Sequence, residues 1–228
     1  MESRGNREST IDGYRINLNR FVKFIGKPVD EITQKDIRFF LMNEKNKRGN
    51  CRRTIGTKIS VLKSFFGWLF DEELIDKNPT RKIKDPKTSK SDPKYLSHED
   101  IEKIREECES LKDRVLVEVL YSSGLRVSEA HKLNWNNIDF NNMKISVRDG
   151  KGGKDRVTLL STRAVMLLKR YRKKREGDRE WVFQTKFRGL NRMSTNTMQR
   201  RIKKLGKKAN TSKKVTPHRL RHSFATQL

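Results

Sequence analysis

The apolar residues of this 228-residue sequence leave their helical period in one segment. Between 138 and 160 they alternate at every second position, whereas the segments on either side step by three and four. Residues 138–140, 144–147 and 156–160 therefore read as short strands. An Asn141-Asn142 turn and the glycine-rich stretch 149–155 join them into an antiparallel meander. The remainder reads as helix and loop, so the chain is predicted to be mainly α with one small three-stranded antiparallel sheet.

Three helices precede that sheet by a wide margin. Ile11, Tyr14, Leu18, Phe21, Val22 and Ile25 keep helical spacing behind Ser9 or Thr10 as cap, with Gly26 and Pro28 as the stop. Thr33 caps the second helix, with Asp36 at the capping-box position and Ile32 placed to staple against Ile37. Ile55, Ile59, Leu62, Phe66 and Leu69 mark the third, and a short helical tail should end at Asn78-Pro79. Residues 7–82 thus form one helical domain, 83–95 an extended linker poor in apolar groups, and 96–228 a second domain. In the second domain Ser97, Ser161 and Ser194 are helix caps. Val115, Leu116, Val119 and Leu120 belong to a helix apolar enough to be central, and Gly124 breaks it.

Charge narrows the function. The chain carries 54 Lys and Arg against 28 Asp and Glu, a formal +26 spread along its whole length, which points to a polyanionic partner and above all to double-stranded DNA. Lys47, Arg48, Arg52, Arg53, Lys58 and Lys63 crowd the loop before the third helix and that helix's polar face, where they suit backbone phosphates or form a solvated face. Arg200, Arg201, Lys203 and Lys204 form a similar group behind Ser194. No apolar run reaches membrane length and the first residues lack a signal-peptide core, so a cytoplasmic protein is expected. Cys51 and Cys108 make neither a ligand cluster nor a disulfide framework and read as reduced bystanders.

Three stretches carry chemistry. In the last, Thr216 caps a helix whose first position is Pro217. Leu220, Phe224 and Leu228 line one face of it, while His218 and Arg221 share another, a proton-exchanging group beside a planar anion grip. His218 and His222 have the spacing of a metal pair, but two arginines and no carboxylate surround them, so no metal is expected and His222 reads as a packing or hydrogen-bonding residue. In the first, Arg126 sits beside a buried helix with Glu129 three residues on, either an anion site or a plain salt bridge. In the second, Gly-Lys-Gly-Gly-Lys at 150–154 lacks the spacing of a nucleotide-binding loop and by itself is a glycine-rich hairpin.

In this order, Gly124-Leu-Arg-Val-Ser-Glu129, the lysine hairpin and His218-x-Leu-Arg-His222 resemble the tyrosine recombinases, the integrase family that includes phage integrases and Xer-type recombinases. The resemblance implies a helical SAM-like core-binding domain and an α+β catalytic domain that together clamp duplex DNA. It implies that Arg126 and Arg221 hold the non-bridging oxygens of the scissile phosphate, that Lys151 protonates the leaving 5′ oxygen, with Lys154 as its rival, and that His218 is the acid/base partner near the nucleophile. It also implies strand exchange through a 3′-phosphotyrosyl link without metal or cofactor, by a homo-oligomer on DNA.

One departure stands out. Tyr14, Tyr95, Tyr121 and Tyr171 all precede His218, and the family's nucleophile belongs beyond it. The expectation is therefore a recombinase cut short after Leu228, which binds DNA without cleaving it. A non-catalytic DNA-binding regulator on the same scaffold is the alternative, and a metal-dependent nuclease is disfavoured by the missing carboxylate cluster.

Overall fold

The computed structural model describes residues 8–86, 95–148, 155–186 and 189–226. The chain divides into two compact units, Met1–Lys90 and Ser91–Leu228.

The first unit is built from α1 (Glu8–Ile25), α2 (Gln34–Asn46) and α3 (Arg52–Asp71). Helix α1 already runs through Ser9 and Thr10, which are therefore helical residues and not its cap. Gly26, at φ 64°, takes the left-handed conformation that ends it. The Thr33 hydroxyl accepts from the Asp36 N–H while the Asp36 carboxylate accepts from the Thr33 N–H, a complete capping box. Phe21, Phe40 and Phe66 meet edge to face at the centre, with Phe21 at 5.1 Å from Phe40 and 5.9 Å from Phe66. The predicted helical tail after α3 is instead a series of turns, because Glu73 adopts φ 57° and closes the helix. Ile75 and Ile83 still reach this core, so the packed region continues one residue into the segment read as linker.

The second unit surrounds α5 (Leu111–Ser123), whose residues from Val115 to Leu120 are all buried. It packs against α7 (Thr162–Lys174), α8 (Thr195–Lys208) and α9 (Pro217–Thr226). A helix buried on every side shows little amphipathic pattern, which is why its apolar run lacks a polar face. Helix α4 (His98–Glu106) leads in, with Ser97 accepting from the Asp100 N–H as cap. Strands β1 (Ile138–Asp139), β2 (Lys144–Val147) and β3 (Arg156–Leu159) form the antiparallel meander in the order β1-β2-β3, with Ile145 opposite Thr158 and Val147 opposite Arg156. A second hairpin, β4 (Gln184–Thr185) with β5 (Asn191–Arg192), has two residues per strand and no alternation that a sequence reading registers.

The polarity of β3 is inverted. Ile145 and Val147 of β2 point into the core, but on β3 the partly buried residues are Arg156 and Thr158, while Val157 and Leu159 are 60% and 56% exposed. Thr158 donates to the Ser123 carbonyl at the end of α5, 2.7 Å away. The sheet thus turns a polar edge toward the point where α5 stops and α6 (Val127–Lys132) begins.

Candidate phosphate-binding site

Gly124 sets the geometry of that point. At φ 59° it is the left-handed cap of α5, and a Cβ there would lie 2.6 Å from the Phe224 ring. Only glycine satisfies both the backbone and the close approach of α9. Phe224, on the apolar face of α9, thereby seats the helix, and Leu220 is fully buried one turn earlier. The Thr216 hydroxyl accepts from the Arg219 N–H as cap, and Ser223 accepts from the Leu96 N–H at 2.8 Å. With its apolar face fixed, α9 turns Arg221 toward Gly124, whose carbonyl accepts from Nη1.

Glu129 organises the other side. Its side chain is 8% exposed. Oε2 accepts from the Arg126 backbone N–H at 2.7 Å, capping α6, while Oε1 accepts from Arg126 Nη1 at 2.8 Å. Arg156 on β3 donates to both oxygens, Nη1 to Oε1 at 2.8 Å and Nη2 to Oε2 at 2.6 Å. Arg221 Nη1 stands off at 3.8 Å from Oε2. Burial alone would raise the Glu129 pKa, but the bonds from Arg156 and Arg126 outweigh it and hold the carboxyl at about 2. Burial, then the charges of Arg126 and Arg156, push the Arg221 pKa below its usual value, and Glu129 offsets only part of this. A guanidinium held among like charges stabilises an incoming anion.

An open cleft of about 590 Å³ lies in front of this cluster, lined by Arg126, Arg221, His218, Lys203 and Lys214 among others. His218 Nε2 is 3.1 Å from His222 Nε2, the rings meeting edge to face. Among the described residues, no group of three or more His, Cys, Asp or Glu side chains is placed to hold a metal ion.

The matches to known proteins agree with this geometry. A model described as the phage integrase family matches residues 94–228, and one described as the phage integrase N-terminal SAM-like domain matches residues 1–76. The chain belongs to the phage integrase family of tyrosine recombinases. It is 35% identical over 229 residues to a tyrosine recombinase XerA of Pyrococcus horikoshii, covering all of this chain and 76% of that protein. It is 34% identical to a tyrosine recombinase XerC of Psychromonas ingrahamii, covering 99% and 78% of the two chains. Among solved structures, XerA recombinase matches with a TM-score of 0.55 at 32% identity, over all of this chain and 80% of that one. A lambda integrase dimer bound to a COC′ core site matches in fold, with a TM-score of 0.79 at 22% identity over 99% and 84% of the chains.

The integrase-family residues named from sequence distribute unevenly. Arg126, His218 and Arg221 meet in the cleft, together with Lys203. Lys151 and Lys154 lie outside the described residues. Lys47, Arg48, Arg52 and Arg53 are exposed where α2 gives way to α3. Lys58 corrects the expectation of a solvent-facing cation: it is buried at 4% exposure, 3.0 Å from Glu44, because its position faces α2 and the apolar core. Lys63 is engaged by Asp85 at 2.9 Å. On α8, Arg200, Lys203 and Lys204 are exposed, and Arg201 is tied to Asp113 at 2.8 Å. Sequence reasoning passed over Lys214 and Arg156. Neither has a local signal: Lys214 is one cation among many, and the inward turn of Arg156 depends on a carboxylate 27 positions away.

Proposed function

We propose that the cleft grips one backbone phosphate of duplex DNA and that the protein acts in site-specific DNA recombination by strand breakage and rejoining. The observation that carries this reading is the convergence of Arg126, Arg221 and His218 on one cleft, with the Glu129 carboxylate already bonded by Arg126 and Arg156. A phosphodiester under attack gathers negative charge on its non-bridging oxygens, and fixed guanidinium groups stabilise that charge more than the ground state. Arg126 and Arg221 take this role. In the reaction a tyrosine oxygen bonds to phosphorus and the 5′ oxygen leaves, receiving a proton from Lys151. His218 exchanges a proton with the nucleophile. The phosphodiester's energy stays in the 3′-phosphotyrosyl link, so rejoining draws on no cofactor.

The tyrosines of this sequence lie elsewhere. Tyr171 is buried against Trp135, Tyr121 sits under Arg105, Tyr95 beside Lys213, and Tyr14 is on α1 of the first unit. None lines the cleft. The 228-residue chain is therefore expected to bind DNA without forming a covalent adduct, which is also how a binding-only member of the family would behave.

Both units contribute to binding. The core-binding region, residues 7–82, brings Lys47, Arg48, Arg52 and Arg53; the catalytic region, residues 96–228, brings Arg200, Lys203 and Lys204 besides the cleft. The work is done on DNA inside the cell by more than one copy of the chain, a reading supported by the fold match to a lambda integrase dimer bound to a core site. Titrating a labelled duplex at rising salt tests the reading. Six or more phosphate contacts predict a loss of at least about a thousandfold in affinity between roughly 50 and 200 mM salt. Affinity that holds constant across that range overturns it, and a protein–DNA adduct on a nicked site overturns the adduct-free expectation.

A further inference from the structure

A carboxylate offers about four acceptor sites, and those of Glu129 are all taken. Oε1 accepts from Arg126 Nη1 and Arg156 Nη1; Oε2 accepts from the Arg126 backbone N–H and Arg156 Nη2. Arg221 is left at 3.8 Å, beyond hydrogen-bonding distance, and gives its Nη1 to the Gly124 carbonyl instead. Arg156 supplies two of the four bonds without lining the cleft. It reaches Glu129 only because β3 turns its polar residues inward and leaves Val157 and Leu159 exposed, an arrangement that burial of apolar surface alone would reverse.

From this we infer that Arg156 is a positioning residue of the phosphate clamp: by bonding both oxygens of Glu129, alongside the bonds that Arg126 makes, it keeps that carboxylate from closing on Arg221. The inference rests on the phosphate-clamp reading above. Without Arg156 two acceptor sites of Glu129 open beside two guanidinium groups, and the carboxylate becomes an internal competitor for the place a phosphate takes. The local charge also falls, from three guanidinium groups against one carboxylate to two against one. Arg156 has a second consequence through the chain. It is two residues beyond Lys154 and five beyond Lys151, so its bond to Glu129 anchors the strand that follows those lysines in sequence to the start of α6.

Arg156→Gln, Arg156→Lys and the double variant Arg156→Gln/Glu129→Gln decide the matter, each measured for duplex affinity and its salt dependence, with thermal unfolding confirming a folded protein. Arg156→Gln is expected to bind at least about tenfold more weakly, the scale of one lost charge-assisted contact. Arg156→Lys keeps the charge but lacks the planar fork and should recover only part of that loss. Adding Glu129→Gln removes the competing charge and should bring affinity back to within about threefold of the unaltered protein. A purely structural Arg156 would lower the unfolding temperature and leave the affinity and salt slope of the folded protein unchanged. Wild-type affinity in Arg156→Gln, or a folded double variant as weak as the single one, overturns the inference. An unaltered protein that fails to bind the duplex at all instead overturns the phosphate reading on which it rests.

Discussion

Each unit of the molecule contains a buried glutamate ringed by cations, and the two rings do different things. Glu44 of α2 is 1% exposed and meets Lys58 at 3.0 Å, with Arg48 at 3.3 Å and Arg20 at 3.8 Å. Its nearest cation is itself buried, and two asparagines complete the hydrogen bonds: Asn50 Nδ2 donates to Glu44, and Asn17 Oδ1 accepts from Lys58. Glu129 meets Arg126, Arg156 and Arg221, which are 29–38% exposed, and two of them line a cleft. The chemistry of the pairs is alike. A buried lysine closes its charge against the glutamate and leaves nothing for a ligand, whereas a planar guanidinium can bind a carboxylate with one edge and present another to an anion. A basic residue is thus functional or structural according to which edge of it reaches solvent.

Removing Lys58 gives the largest effect expected. Lys58→Ala leaves Glu44 buried beside empty space and should destabilise the first unit by about 3–5 kcal/mol in urea unfolding, with the salt slope of DNA binding unchanged in protein that remains folded. A lowered slope would mean that Lys58 meets phosphate after all and that the two rings are alike. Acid should act on the other ring. The Glu129 carboxyl titrates at about 2 in the folded chain, below the 4.5 usual for a glutamate. It therefore contributes stability that is complete above the unfolded value and is lost as pH falls from 4.5 toward about 2. The second unit should lose about 2–3 kcal/mol over that window through this group, and Glu129→Gln should flatten the loss. An unchanged acid profile in Glu129→Gln would show that the arginines hold the carboxylate no better than water does.

Much of this framework is legible in the sequence, for local reasons. Thr33, Ser97, Ser161, Ser194 and Thr216 each accept from a backbone N–H three residues on, so a cap and its helix lie within four positions of each other. Gly124 and the pair His218 and Arg221 are legible for the same reason, since a turn and a helix face are short-range facts. Burial of Lys58 and the inward turn of Arg156 are not. Lys58 is set by Glu44, 14 positions earlier on another helix, and Arg156 by Glu129 across the start of α6. Strand period places alternate residues on opposite faces but leaves open which set faces inward, and on β3 two hydrogen bonds from Arg156 and one from Thr158 settle it against the apolar residues.

Arg126→Ala and Arg221→Ala come next in size. On the proposed reading each removes charge-assisted contacts to a phosphate and should weaken duplex binding about tenfold to a hundredfold, flattening the salt slope by about 0.9, with stability moving by less than about 1 kcal/mol at Arg221 and by about 1–2 kcal/mol at Arg126, which also bonds Glu129. If instead stability falls and the slope stays, the Glu129 ring is as structural as the Glu44 ring and the contrast between them fails.

The smallest effect separates the cleft from the surface around it. Lys203 and Lys204 are adjacent and exposed on α8, but of the two only Lys203 lines the cleft, together with Arg126 and His218. A lysine is a hydrated point charge, so losing either one should cost no more than about 1 kcal/mol of binding. In a groove walled by protein the field of a charge is less screened than on an open helix face. Lys203→Gln should therefore weaken binding about threefold and lower the salt slope by a fraction of one phosphate, while Lys204→Gln changes both by less. Equal losses at the two positions would mean that DNA lies along the whole exposed face of α8, and that the cleft is one stop on a broad basic track. A larger loss at Lys203 confines the specific contact to the place where Arg126, Arg221 and His218 already converge.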